Sequence, residues 1–133
     1  MTVGARFSVL FLVVGAGSAR VARGQAPTDT LPADATSAVI AAGKKIFLGE
    51  GLCLACHGPD AKGLIGPNLT DQAWLQGTGT FPEILARVLA GVTSEQSKQG
   101  QIMPPRGGSG ISDEQVRAVA AYVWSLNHKP SRT

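Results

Sequence analysis

Both cysteines of this 133-residue chain fall within one short run, Cys53-Leu-Ala-Cys56-His57. Thiols this close together cannot close the long loop that makes a disulfide a useful staple, so a disulfide-rich scaffold is excluded. At 13.7 kDa the chain makes one small domain, which excludes a multidomain enzyme and buries a poor fraction of its surface. Hydrophobic residues at 44% and charged residues at 16% exclude a chain disordered by composition. Aromatic residues contribute only 5%, however, so the apolar core is thin and leaves room for a large non-protein group.

The short run supplies a way to hold one. C-x-x-C-H is the pattern of c-type haem attachment, in which both thiols become thioethers to the vinyl groups and the adjacent histidine reaches the iron. Three plainer readings compete: a redox dithiol, half of a zinc site, and a chance match at a helix end. A thioredoxin-like dithiol needs alternating strands and helices, which the chain lacks, and zinc normally takes four Cys or His ligands. Only Cys53, Cys56, His57 and His128 exist, so attachment of one covalent haem c is the stronger reading. An iron held on both faces needs a second axial ligand. Besides Met1 the only methionine is Met103, in the proline-stiffened run Gln101-Ile-Met103-Pro104-Pro105. His128 is the other candidate, at the frayed end of the last helix beside Lys129 and Pro130. Met103 is preferred, because a soft thioether in a stiff loop suits electron-transfer iron.

Residues 1–26 read as a secretory signal: Arg6, then an apolar run from Phe7 to Gly17, then small residues at Gly24 and Ala26. The run is well short of the roughly 20 residues a membrane span requires. Cleavage is expected after Ala26, with Gly17 and Ala19 as a rival site, and an uncleaved anchor is the alternative. The expected location is therefore periplasmic or otherwise exported. Arg6, Arg20 and Arg23 lie in that segment, which carries no acid, so the net charge of +3 belongs to the leader. The remainder has nine basic and nine acidic residues, which argues against nucleic acid as a partner. Contact with a membrane is expected only through partners or an uncleaved leader.

Residues 27–36, broken by Pro27 and Pro32, read as a flexible lead-in to a domain over residues 37–133. From Ser37 to about Leu48, Val39, Ile40, Gly43, Ile46 and Phe47 recur at helical spacing. A second helix starts at the capping box Thr80/Glu83, with Pro82 in its first turn, and stops at Gly91. A third starts at the box Ser112/Gln115 and carries the stripe Val116, Val119, Ala120, Val123 and Leu126 to about Asn127. The run from Thr70 to Leu75 reads as a short helical turn, and no alternating strand is evident. The expected fold class is all-α, three to four short helices wrapped around one haem.

From Ile40 to Leu126 the sequence resembles a monohaem class I cytochrome c. Gly43 and Phe47 are similar to that family's N-terminal helix pair, which packs on a C-terminal helix matched here by Ala121 to Leu126. Gly66-Pro67-Asn68-Leu69-Thr70 resembles the loop after the haem motif, where the proline carbonyl accepts the proximal histidine's ring proton. The resemblance thus assigns Pro67 to His57, and Trp74 to the haem edge. The Asn-Leu-Thr-Asp-Gln-Ala-Trp-Leu run and Met-Pro-Pro followed by Gly107 and Gly108 are most similar to cytochrome c domains of cbb-type terminal oxidases. Similar domains accompany periplasmic quinoprotein dehydrogenases.

The expected function is one-electron transfer, not enzymatic turnover, serving a respiratory or dehydrogenase chain. Redox partner proteins such as a terminal oxidase or a dehydrogenase would meet a small surface around the Met103 loop. A haem peroxidase or gas-binding sensor with a labile distal ligand is the rival. A module belonging to a larger oxidase is a third reading.

Overall fold

The computed structural model describes Met1 and residues 29–128. The expected leader, apart from Met1, and its cut sites lie outside the described residues. Among the described residues four α-helices follow in order: α1 (Ser37–Leu48), α2 (Leu54–His57), α3 (Phe81–Ala90) and α4 (Asp113–Ser125), with a 3-10 turn at Pro105–Gly108. Among the described residues the only extended pairing is an isolated antiparallel bridge between Val92 and Met103, so the all-α expectation holds. No described helix is long and apolar enough to cross a membrane.

The frame is the crossing of α1 on α4. The Thr36 hydroxyl caps α1 by accepting from the Val39 amide, and the helix stops at Gly49. At α4 the Ser112 hydroxyl accepts from Gln115 N–H at 3.2 Å while the Gln115 side chain accepts from Ser112 N–H at 2.9 Å. The crossing is close because α1 carries glycine at the contact: a Cβ on Gly43 would lie 1.9 Å from the Ala118 carbonyl oxygen. One turn on, Phe47 is 1% exposed and meets Tyr122 edge-on, with ring centroids 5.4 Å apart. Burying such a side chain contributes about 1.5–3 kcal/mol. Val116, Val119, Ala120 and Val123 complete the α4 face, and α3 adds Phe81, Ile84 and Val88.

Three expectations are corrected. α4 ends at Ser125, two residues before Asn127, because Leu126 and Asn127 bond back to Val123 and Trp124 in a tightened last turn. The Asn127 side-chain Nδ2 also donates to the Leu69 carbonyl at 2.9 Å. The run from Thr70 to Leu75 forms bends and no helical turn. Side chains take its amides: Asn68 Oδ1 accepts from Thr70 N–H and Asp71 Oδ1 accepts from Ala73 N–H, which offers the backbone an alternative to helix. The described part of the lead-in, residues 29–36, also packs along α4. Ala35 is buried, Asp34 pairs with Arg117 at 3.1 Å, and Asp29 accepts from the Trp124 indole at 2.8 Å.

Candidate haem site

Between the helices lies a cavity of about 460 Å³, within the range of roughly 300–1,000 Å³ typical of small-molecule and cofactor sites. Phe47, Val119 and Val123 back it, while the exposed side chains of Leu52, Ile65 and Ile102 stand at its margin. All of Cys53, Cys56, His57, Gly66, Pro67, Asn68, Trp74 and Met103 line it.

One wall is built by α2 and the loop after it. His57 closes the short helix, its N–H bonded to the Cys53 carbonyl at 2.9 Å. The chain then turns back on this helix end: Gly63 N–H donates to the His57 carbonyl, and Leu64 and Gly66 N–H both donate to the Cys56 carbonyl. That return brings Pro67 under the imidazole, where His57 Nδ1–H donates to the Pro67 carbonyl at 3.0 Å. Gly66 lies against the ring, since a Cβ there would be 3.1 Å from Cε1. Among the described residues Nε2 has no hydrogen-bond partner, and the side chain lines the cavity. Burial pushes His57 below the ordinary histidine value, while the Pro67 bond works the other way. Asn68 shapes the same loop, its Oδ1 accepting from both Thr70 N–H and Thr70 Oγ1 at 2.8 Å.

Cys53 and Cys56 are free thiols. Cys53 is buried and donates to the Gly51 carbonyl at 3.3 Å; burial pushes its thiol up to about 11. With His57 they spread along the cavity wall: among the described residues no group of three or more His, Cys, Asp or Glu side chains is arranged to hold a metal ion.

Met103 belongs to a different segment. Its backbone exchanges two hydrogen bonds with Val92, at 2.7 and 3.0 Å, and its side chain packs on the core. The other axial candidate is elsewhere. His128 stacks on Trp124 at 4.1 Å, bonds to the Trp124 carbonyl and to Asp29, and lines a separate cavity of about 270 Å³. Trp74 reaches both cavities, its indole lying against Gly79, where a Cβ would come 2.1 Å from Nε1.

Arg87 was missed by sequence reasoning. Its Nη1 donates to the Gly91 carbonyl at 3.3 Å, but its Nε is buried with no partner at the cavity wall. An unpaired buried donor is costly unless a bound group satisfies it. The signal was present, because Arg87 falls in line with Ile84, Val88 and Gly91 on the apolar face of α3. The apolar walls, the free imidazole nitrogen and the unpaired guanidinium nitrogen together fit a haem, whose faces are apolar and whose edge carries carboxylates.

Comparison with known proteins agrees with this geometry. A family model described as Cytochrome c matches residues 40–127. The chain is 41% identical over 100 residues to the cbb3-type cytochrome c oxidase subunit CcoP of Rhodobacter capsulatus, a match covering 71% of this chain and 31% of that subunit. It is 36% identical over 105 residues to CcoP of Rubrivivax gelatinosus, covering 78% of this chain and 31% of the relative. Against the FixP subunit of Sinorhizobium medicae the identity is 38% over 96 residues, covering 70% and 32%. The chain thus spans about a third of the length of these relatives. The crystal structure of cytochrome cL from Methylophaga aminisulfidivorans superposes with a TM-score of 0.53 at 21% identity, covering 68% of this chain and 55% of that one. With two thirds of its length matched by the family model, this chain belongs to the cytochrome c family, whose members bind haem c.

Proposed function

We propose that this chain is an exported one-electron carrier, with one haem c attached through Cys53 and Cys56 and ligated by His57 and Met103. The haem supplies the redox change, its iron passing one electron between ferrous and ferric states. The chain's part is to hold, orient and shield it. The bond from His57 Nδ1–H to Pro67 fixes the tautomer, leaving Nε2 as the lone-pair nitrogen available to a metal. Met103 is the thioether available to the same cavity, and Phe47, Val119 and Val123 exclude water behind it. Arg87 Nε is the donor for a carboxylate at the macrocycle's edge.

The observation that carries the reading is that the only histidine of the C-x-x-C-H run and the only methionine beyond Met1 line one cavity from separate segments. The relatives are subunits of cbb3-type oxidases, which favours a terminal oxidase as electron acceptor or host complex over a dehydrogenase. Attachment of haem c to exported chains takes place outside the cytosol, which agrees with the periplasmic reading of the leader.

The test is a visible spectrum of protein matured in a periplasm with haem-attachment machinery, oxidised and reduced, beside Met103→Ala. A sharp reduced α band, with a ferric sulfur-to-iron charge-transfer band that the variant lacks, supports the carrier with His57/Met103 ligation. A high-spin spectrum unchanged by the substitution, with rapid binding of carbon monoxide to the reduced protein, overturns Met103 as ligand and favours the haem peroxidase or gas sensor.

A further inference from the structure

Met103 sits at the end of a long loop, and what fixes its position is the other end. α3 stops at Gly91, whose N–H donates to the Arg87 carbonyl at 2.8 Å and whose own carbonyl accepts from Arg87 Nη1. The next residue, Val92, exchanges both backbone hydrogen bonds with Met103. Residues 93–102 therefore leave and return through a single two-bonded neck, and most of them are exposed. At this neck the backbone of Gly91 lies directly on the Met103–Pro105 backbone. A Cβ on Gly91 would meet the Met103 carbonyl oxygen at 2.3 Å, Pro105 N at 2.8 Å and the Pro104 carbonyl carbon at 2.9 Å. These are backbone atoms of a segment with consecutive prolines, so they cannot yield as the tip of a flexible side chain would.

We propose that Gly91 is a positioning residue for the axial ligand: its missing side chain lets the end of α3 seat the Met103 backbone at the depth that brings the thioether to the iron. The inference rests on Met103 being that ligand. It differs from a general need for glycine, and the same loop contains the control. Gly91 and Gly100 share φ of +74°, but a Cβ on Gly100 meets nothing within 4 Å. Positive φ strains alanine at either position, whereas only alanine at Gly91 also meets the Met103–Pro105 backbone.

The experiment compares ferric holoprotein of the wild type, Gly91→Ala, Gly100→Ala and Met103→Ala by the sulfur-to-iron band and by titration with imidazole, which competes for the methionine position. Moving the Met103–Pro105 backbone by about 1 Å is expected to tighten imidazole binding to Gly91→Ala by about 10–100-fold, with loss or weakening of the band. Gly100→Ala is expected to stay within about twofold of wild type, because strain alone leaves the ligand in place. A wild type that shows the band, beside a Gly91→Ala protein with an unchanged band and the imidazole affinity of Gly100→Ala, overturns the inference alone. A wild type without the band overturns the ligand assignment on which it rests. If Gly91→Ala does not accumulate, amide exchange in the wild type decides. The Val92 and Met103 amides are expected to exchange at least about tenfold more slowly than those of residues 98–101, and equal rates would remove the neck as an anchor.

Discussion

The segments 53–69 and 91–108 line the same cavity but hold their side chains by different means. His57 stands within a web of short-range bonds: the Cys53 carbonyl behind it, Gly63 on its own carbonyl, Leu64 and Gly66 on that of Cys56, and Pro67 on its ring. Met103 has one neck of two hydrogen bonds to Val92 and a close backbone contact at Gly91, with an exposed loop between. Across that loop the Gln76 side chain donates to the Gln96 carbonyl at 3.3 Å, among the described residues a single exposed tie. Local stability follows the number of buried, mutually supporting contacts, so the Met103 side opens first. In the carrier proposed above, such an arrangement would keep the haem through local breathing while leaving the Met103 position exchangeable.

The largest effect separates retention from ligation. Cys53→Ala with Cys56→Ala is expected to leave no haem on the chain after denaturing electrophoresis, whereas Met103→Ala retains the full haem stain. Haem remaining on the denatured double variant would remove the His57 side from its role in retention. The next effect strikes both sides together, because both rest on the α1–α4 crossing. Gly43→Ala places a methyl against the Ala118 carbonyl oxygen and is expected to cost about 2–4 kcal/mol. That corresponds to a fall in Tm of about 10 °C or more by circular dichroism. A fall of under about 2 °C would show that the helices separate without strain and that the crossing does not support the two sides.

The same contrast explains what the sequence could reveal. The His57 side is written in neighbouring residues, so Cys53, Cys56 and His57 were found by spacing and Pro67 by resemblance. The three longer helices were legible from their caps and apolar periodicity, Thr80 and Ser112 above all, because those signals are local. Met103 was reached through the scarcity of thioethers, not through any pattern that places it opposite Val92. That pairing joins segments whose register no local signal sets. The helical turn read over residues 70–75 failed because Asn68 and Asp71 side chains captured amides that a helix would need. The contacts of residues 29–36 with α4 were illegible for a related reason: polar residues beside prolines look like a linker until Arg117 and Trp124 are found facing them. Arg87 escaped because a charged residue in an apolar stripe is ordinarily read as snorkelling to solvent.

Smaller substitutions sharpen the difference in stiffness. Asn68→Ala deletes an oxygen that accepts two bonds in the His57 loop and is expected to cost about 1 kcal/mol. Gln76→Ala removes the one exposed tie across the Met103 loop and is expected to cost under about 0.5 kcal/mol. Urea unfolding of the two holoproteins checks the order, and equal costs would contradict the contrast.

A further small, pH-dependent effect tests whether the start of α3 acts apart from its end. Glu83 accepts from Thr78 N–H at 2.8 Å, Thr78 Oγ1 at 3.0 Å and Thr80 N–H at 3.2 Å, tying residues 78–80 to the helix. The Thr78 amide foremost, with the other donors, holds the carboxyl at about 2, below its ordinary 4.5. A value lower in the folded chain than in the unfolded one means the folded state favours the carboxylate. Its stabilisation is present above about pH 4.5 and is lost as the pH falls toward about 2. The site is solvent-screened, so Glu83→Gln is expected to cost about 1 kcal/mol or less near neutral pH. Urea midpoints of wild type and variant should converge between about pH 4.5 and 2, over the window in which Glu83 protonates. The sulfur-to-iron band should persist in the variant at neutral pH, since Gly91, not Glu83, carries the contact with Met103. A difference in midpoints that stays constant through that window would show that Glu83 acts through shape and not charge. Loss of the band in Glu83→Gln would show that the two ends of α3 are coupled, and that the Met103 side extends across the whole helix.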